Sequence, residues 1–230
     1  MLGMSGPLTG IFGGTFNPVH IAHVRAAIEV AEALGLAGVE LLPAARPPHK
    51  ASGALLDFPL RLALCRAAVA GLPGFSVNPL EGDRPGPSYT CDTLAALMAS
   101  RPGEQFCFIL GMGDLMCLPS WKNGLALGQL AHLAVHSRAG QGLADFCAFL
   151  ADHAEAMGAS PTTDPTIWTL PADRYIRYVP VPRLDISASD IRERWCRGRR
   201  IDGLVSQSVL AELLTHADAL NAGWGRPNSA

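Results

Sequence analysis

Leu8-Thr9-Gly10-Ile11-Phe12-Gly13-Gly14-Thr15-Phe16-Asn17-Pro18-Val19-His20-Ile21-Ala22-His23-Val24-Arg25 is the stretch from which the rest of this chain is best read. A short apolar run, Leu8 to Phe12, breaks on Gly13-Gly14 and reaches Pro18. From about Ile21 a helical pattern begins, with Val24, Ala27, Ile28 and Ala31 apolar at helical spacing. Strand, glycine turn and helix is the order that aims backbone N–H groups and a helix N-terminus at an anion. Into that turn the chain places Thr15, His20 and His23, and histidines three apart share one face of a helix's first turn. The combination reads as a phosphate site. A zinc pair is disfavoured because no third ligand stands nearby. The glycines do not follow G-x-G-x-x-G, and no G-x-x-x-x-G-K-[ST] occurs.

Composition narrows what surrounds this turn. With 230 residues and 49% hydrophobic content, one α/β domain over 1–230 is expected, burying roughly three quarters of its extended surface. A net charge of −2 provides no basic field for nucleic acid. No apolar run approaches the roughly 20 residues needed to span a membrane, and Met1–Pro7 has no basic region typical of a signal peptide. The six cysteines show no C-x-x-C and read as reduced core residues of a cytoplasmic protein. Only two lysines occur, Lys50 and Lys122, in a chain that otherwise uses arginine as its cation.

Working outward, Val39–Leu42 reads as a second strand, followed by the stiff loop Arg46-Pro47-Pro48-His49-Lys50, whose cationic tip lies where open α/β sheets bind ligands. Phe58–Ala70 reads as an amphipathic helix and Phe75–Val77 as a short strand. Ser88 or Thr90 is expected to cap a helix running to about Ser100, with Asp92 in its first turn. Gln105–Leu110 reads as a central strand that breaks at Gly111-Met112-Gly113-Asp114 and leads to Leu118-Pro119-Ser120-Trp121-Lys122. Trp121 suits either a core or a stacking platform for a flat heterocycle. Leu133–Val135 is another strand and Leu143–Met157 a helix. Extended pieces at Thr166–Leu170 and Tyr175–Val181 carry no functional reading. Ser187 or Ser189 caps a helix whose first turns hold Arg192 and Arg194, a second candidate anion site. A helix over about Ser206–His216 follows, and 221–230 reads as a loose tail. Alternating strands and helices imply a doubly wound parallel sheet.

Gly13-Gly14-Thr15-Phe16-Asn17-Pro18-Val19-His20-Ile21-Ala22-His23 resembles the (G)GTFDPxHxGH motif of the nucleotidylyltransferase superfamily, with Asn17 in place of Asp and Ala22 in place of Gly. Further motifs occur in a particular order: Pro47-Pro48-His49-Lys50, Pro87-Ser88-Tyr89-Thr90 with Asp92-Thr93-Leu94, the Gly111…Trp121 spacing, and Ile186-Ser187-Ala188-Ser189-Asp190-Ile191-Arg192. Over about 8–215 they look like bacterial nicotinate-nucleotide adenylyltransferases. Phosphopantetheine adenylyltransferases share the first and last motifs but lack the S-Y-T and L-x-x-W elements.

The resemblance implies a Rossmann-like fold of the nucleotidylyltransferase type and adenylyl transfer from ATP to nicotinate mononucleotide. His20, His23 and Arg192 would be catalytic. ATP would be held by them together with Gly13, Gly14, Thr15, Phe16, Ser187, Ser189 and Asp114. His49, Lys50, Tyr89, Thr90, Trp121 and Lys122 would bind the second substrate, Trp121 by stacking. Relatives carry Asp where this chain has Gly113, so its carboxylate is displaced by one residue to Asp114. The mechanism implied is direct in-line attack of the mononucleotide phosphate on the α-phosphorus of ATP, with Mg²⁺ carried by the ATP phosphates and no metal caged by protein. The alternatives are the same chemistry on another phosphate ester such as nicotinamide mononucleotide, or a nucleotide-binding sensor that has lost catalysis. Asn17, Ala22 and Asp114 motivate the last.

Overall fold

The computed structural model describes residues 7–48, 54–137 and 140–225. Its strands are β1 (Leu8–Gly14), β2 (Gly38–Pro43), β3 (Phe75–Val77), β4 (Gln105–Gly111), β5 (His132–His136), β6 (Ser160–Pro161), β7 (Ile167–Leu170) and β8 (Arg174–Val179). They form a mixed, mainly parallel sheet in the order β3-β2-β1-β4-β5-β8-β7-β6. β4 runs parallel to both β1 and β5, and β5 parallel to β8. The order reverses between β1 and β4, and the crevice beyond such a switch point is where open α/β sheets take ligands. β4 is buried from Phe106 to Gly111, as its unbroken apolar run demands of a strand covered on both faces.

The stretch that carried no functional reading finishes the sheet. β7 pairs antiparallel with both β6 and β8, so the doubly wound, mainly parallel sheet carries an antiparallel edge. Pro171, Ala172 and Asp173 connect β7 directly to β8, too short a connection for the crossover a parallel pair needs. Ala172 and Asp173 turn the chain at φ 58° and 56°.

The helices are α1 (Ile21–Leu34), α2 (Phe58–Val69), α3 (Leu80–Asp83), α4 (Thr90–Ser100), α5 (Met112–Cys117), α6 (Leu143–Met157), α7 (Ala188–Cys196), α8 (Gln207–Thr215) and α9 (Ala217–Gly223). The chain clusters into two compact units. One comprises Met1–Gly13, Ala26–Glu40 and Tyr89–Arg183; the other comprises Gly14–Arg25, Leu41–Ser88 and Leu184–Ala230. Ile109, Leu133, Ala134, Val135, Phe146 and Ile176 fill the core of the first, whereas Val19, Leu41, Leu64, Cys65, Val209 and Leu213 fill that of the second. Cys65, Cys91 and Cys107 are buried free thiols as expected, but Cys117 is exposed and Cys147 and Cys196 are half-buried.

Two local expectations need correction. Tyr89, not Ser88 or Thr90, is the N-cap of α4, and no side chain caps that helix. Ser88 is drawn away by Arg46, whose backbone N–H donates to its Oγ at 2.8 Å. The supposed tail is helical through Gly223, and Trp224 beyond it is buried. Trp195 Nε1 on α7 donates to Asn221 Oδ1 at 3.0 Å, and its ring meets that of Trp224 edge-on at 6.2 Å. Among the residues first read as tail, 226–230 lie outside the described ones.

One buried base in the first unit makes stability depend on pH. His132, 5% exposed at the start of β5, accepts the backbone N–H of Tyr175 on Nδ1 at 3.2 Å. Burial, and then the neighbouring Arg174, push its pKa from 6.5 down to about 4. The unfolded chain takes up this proton near the ordinary value, while the folded chain refuses it until about 4. Within that window the unfolded state holds more protons, so stability falls as pH falls. The urea midpoint is therefore expected to drop between pH 6.5 and about 4, and to drop less in His132→Asn, which keeps an acceptor but does not titrate.

Candidate active site

In the second unit the chain leaves β1 through Gly14 and Thr15, and Phe16 takes a positive φ of 47°. Phe16 folds back on the turn: a Cβ on Gly14 would lie 2.9 Å from its ring. At Gly13, in the first unit, a Cβ would come 2.8 Å from the Phe108 ring of β4. At both positions a side chain would force a phenylalanine ring to shift, independently of any ligand.

His20 immediately precedes α1 and is 7% exposed. Its backbone N–H donates to His23 Nδ1 at 3.2 Å, and the two imidazoles stack at 3.6 Å and 25°. Since Nδ1 of His23 accepts, its neutral ring carries the proton on Nε2, as a donor. The Phe16 ring meets His23 edge-on at 5.1 Å, a further contact on the imidazole.

Asn17 shows why Asp is dispensable here. Its amide donates to Ala54 O at 2.7 Å and accepts from Leu56 N at 3.1 Å. A carboxylate could make only the second bond, so the substitution suits the segment packed on this turn. The Asn17 carbonyl accepts from Arg192 Nη1 at 2.8 Å, while Arg192 Nη2 donates to Ser189 Oγ at 3.0 Å. Of the two candidate capping serines, Ser187 caps α7, accepting from Asp190 N at 3.0 Å. Thr15, Phe16, His20, His23, Ser187, Ser189 and Arg192 are thus gathered in one unit. Arg194 is instead turned to the Arg200 carbonyl, while Arg197 and Arg200 pair with Glu193 and Asp202. Partial burial depresses the Arg192 pKa, yet an arginine stays charged at neutral pH.

The sequence reading overlooked Arg61. It lies in the first turn of α2, is 1% exposed, and donates to the carbonyls of Leu56, Thr15, Ala44 and Ala45 at 2.9, 2.9, 2.6 and 3.3 Å. A signal existed: Arg61 shares its helix face with Leu64, Cys65 and Ala68, so it is a cation on an apolar stripe. Glu81, also unremarked, accepts the Ala45 N–H at 3.1 Å from a site 6% exposed.

Tyr89, Thr90, Asp114, Trp121 and Lys122 belong to the first unit. Lys122 Nζ meets both oxygens of Asp92, at 3.0 and 2.9 Å, and stands 4.9 Å from the Tyr89 ring centre. The hydrogen bond to Asp92 raises the lysine pKa and keeps it cationic. Trp121 is half-buried, so it is not a core residue. Asp114 is exposed in the first turn of α5, with its Oδ2 3.6 Å from where a Cβ on Gly111 would stand. His136 Nε2 is 3.4 Å from the same point. The displaced carboxylate and the His136 imidazole thus both approach Gly111 at the end of β4, whereas a Cβ on Gly113 would meet open space. His49 and Lys50 lie outside the described residues. Among those described, no group of three or more His, Cys, Asp or Glu is arranged to hold a metal ion, and no helix is long and apolar enough to cross a membrane.

The cytidylyltransferase-like family model matches residues 11–194. A probable nicotinate-nucleotide adenylyltransferase of Geobacter sulfurreducens is 39% identical over 201 residues, covering 87% of this chain and 93% of the relative. That of Bordetella pertussis is 34% identical over 211 residues, covering 90% and 95%. The fold is shared with the Plasmodium falciparum nicotinic acid mononucleotide adenylyltransferase complexed with NaAD. The TM-score is 0.71 at 15% identity, over 93% of this chain and 98% of that one.

Proposed function

The chain belongs to the nicotinate-nucleotide adenylyltransferase family, within the cytidylyltransferase-like group, and on that premise we propose how its residues work. It is a nucleotidyltransferase that moves the adenylyl group of ATP to nicotinate mononucleotide in NAD biosynthesis, giving deamido-NAD and pyrophosphate. A mononucleotide phosphate oxygen attacks the α-phosphorus in line, the bond to the β-phosphate breaks, and pyrophosphate departs. Both reactants are anions, so the protein must align them and offset charge at the pentacoordinate centre. Orientation of this kind supplies roughly 7–11 kcal/mol.

We assign the triphosphate to His20, His23, Ser187, Ser189 and Arg192, on the turn built by Gly13, Gly14, Thr15 and Phe16. The observation that carries this is the stacked histidine pair whose own turn, through the Asn17 carbonyl, holds the Arg192 guanidinium. Asp114 is assigned to nucleotide hydroxyls. Tyr89, Thr90, Trp121 and Lys122 are assigned to the mononucleotide, with His49 and Lys50 toward its phosphate. Mg²⁺ enters with ATP as part of the substrate. The motifs over 8–215 act as one nucleotidylyltransferase domain, and the cytoplasm is its setting, consistent with six free thiols.

The test is pyrophosphate release from ATP and Mg²⁺ with nicotinate or nicotinamide mononucleotide supplied separately. Release with the acid and little with the amide is expected. Preference for the amide keeps the chemistry and overturns the pocket assignment. ATP binding without release with either substrate overturns the enzyme reading in favour of a sensor.

A further inference from the structure

Arg61 stands where stability alone would not put an arginine. It occupies the first turn of a helix, where the dipole disfavours a cation, and it is 1% exposed. Burial is the leading influence on its pKa, which is lowered. Apolar groups of similar volume often replace such buried charges at little loss. What an apolar group could not do is join separate pieces of backbone.

The guanidinium joins three. Nη1 donates to Thr15 O in the turn after β1 and to Ala44 O just past β2. Nη2 donates to Ala45 O, and Nε to Leu56 O before α2. Because a peptide is planar, pulling a carbonyl inward sends the following N–H the opposite way. In the loop after β2 those N–H groups are received in turn: Ala45 N by Glu81 Oε2 at 3.1 Å and Arg46 N by Ser88 Oγ at 2.8 Å. The Ala44 N–H closes the circuit on Gly14 O at 2.8 Å. The turn that carries Thr15 and the loop that leads into Pro47-Pro48 therefore share one cation.

We infer that Arg61 is a positioning residue that couples the turn after β1 to the loop after β2, so that an anion held at the first also orders the second. This rests on the phosphate reading of the turn and extends it. Lysine in its place keeps the charge and at best the two bonds that Nη1 makes; it loses those of Nη2 and Nε to Ala45 O and Leu56 O, and with them the fixed direction of the fork.

Calorimetry with ATP and with inorganic tripolyphosphate tests the coupling in wild type, Arg61→Lys and Asp57→Ala. Asp57 caps the same helix, accepting from Leu60 N at 3.0 Å, so its loss weakens α2 without touching the shared carbonyls. Arg61→Lys is expected to bind both anions about tenfold more weakly, the worth of one misaligned charged hydrogen bond, and to raise the KM for ATP, while Asp57→Ala binds as wild type. Equal weakening in both variants, or none in Arg61→Lys, overturns the inference. Hydrogen exchange in the wild-type chain decides it even if Arg61→Lys does not fold. Tripolyphosphate should slow exchange at Ala45 and Arg46 together with Thr15–His20, and slowing confined to the turn overturns the coupling. Absence of any ATP binding by the wild type overturns the proposed function itself, and this inference with it.

Discussion

In the His23→Ala variant, kcat is expected to fall by about 10²–10³-fold, the range for loss of one preorganised donor at a developing charge. The urea midpoint should hardly move. The geometry supplies both halves of this expectation. His23 is half-exposed on the first turn of α1, so the core loses little when its ring is removed. Its ring nevertheless holds a defined pose, gripped by the His20 N–H, the His20 ring and the Phe16 edge. That pose leaves Nε2–H as the donor for a phosphoryl oxygen. His23→Asn can still accept from His20 N–H, yet it places its own donor differently, so it too should keep stability and lose turnover. Steady-state kinetics with ATP and nicotinate mononucleotide, run beside urea titrations, make the check. Near-normal turnover in His23→Ala would remove the histidines from the phosphate site.

Arg192→Lys is expected to be nearly as damaging, at about 10²-fold in kcat/KM for ATP, although charge is conserved. Arg192 works as a fork. One arm is fixed on the Asn17 carbonyl at 2.8 Å, the other on Ser189 Oγ at 3.0 Å, and the remaining N–H groups keep a set direction. A lysine ammonium is a flexible point charge and cannot take both anchors while presenting a third donor. If charge alone served, Arg192→Lys would keep most activity and Arg192→Ala would lose it. The direct comparison of the two variants therefore separates orientation from electrostatics. Replacing Arg197 or Arg199 should have little effect, because Arg197 is occupied by Glu193 and both residues are exposed.

Much of the site was legible because it is local. Two glycines after an apolar run, two histidines one helical turn apart, and a serine followed by arginine at a helix start are each patterns contained within a few residues. The same holds for β1, α1, β4 and α7, whose limits follow from hydrophobic periodicity and caps. Other features depended on partners far along the chain. Ser88 looked like a cap, but Arg46 competes for its hydroxyl. Asn17 looked like a neutral replacement, but its amide bridges Ala54 and Leu56. Residues 221–225 looked loose because little in their own composition orders them; Trp195 and Cys196, on α7, do so.

By itself the sequence determined the alternation of strand and helix, the glycine turn with its two histidines at Gly13–His23 and the serine-capped helix start at Ser187–Arg192. Short-range sterics and capping govern these, and such forces need no knowledge of the remaining chain. Only the tertiary structure decided that Arg192 reaches Asn17 across 175 positions of sequence, that one arginine of α2 is buried beneath the turn, and that the sheet ends in an antiparallel edge. Those outcomes follow from which backbone carbonyls are left needing donors once the core has packed. That is a condition on the whole fold, which no local window of residues contains.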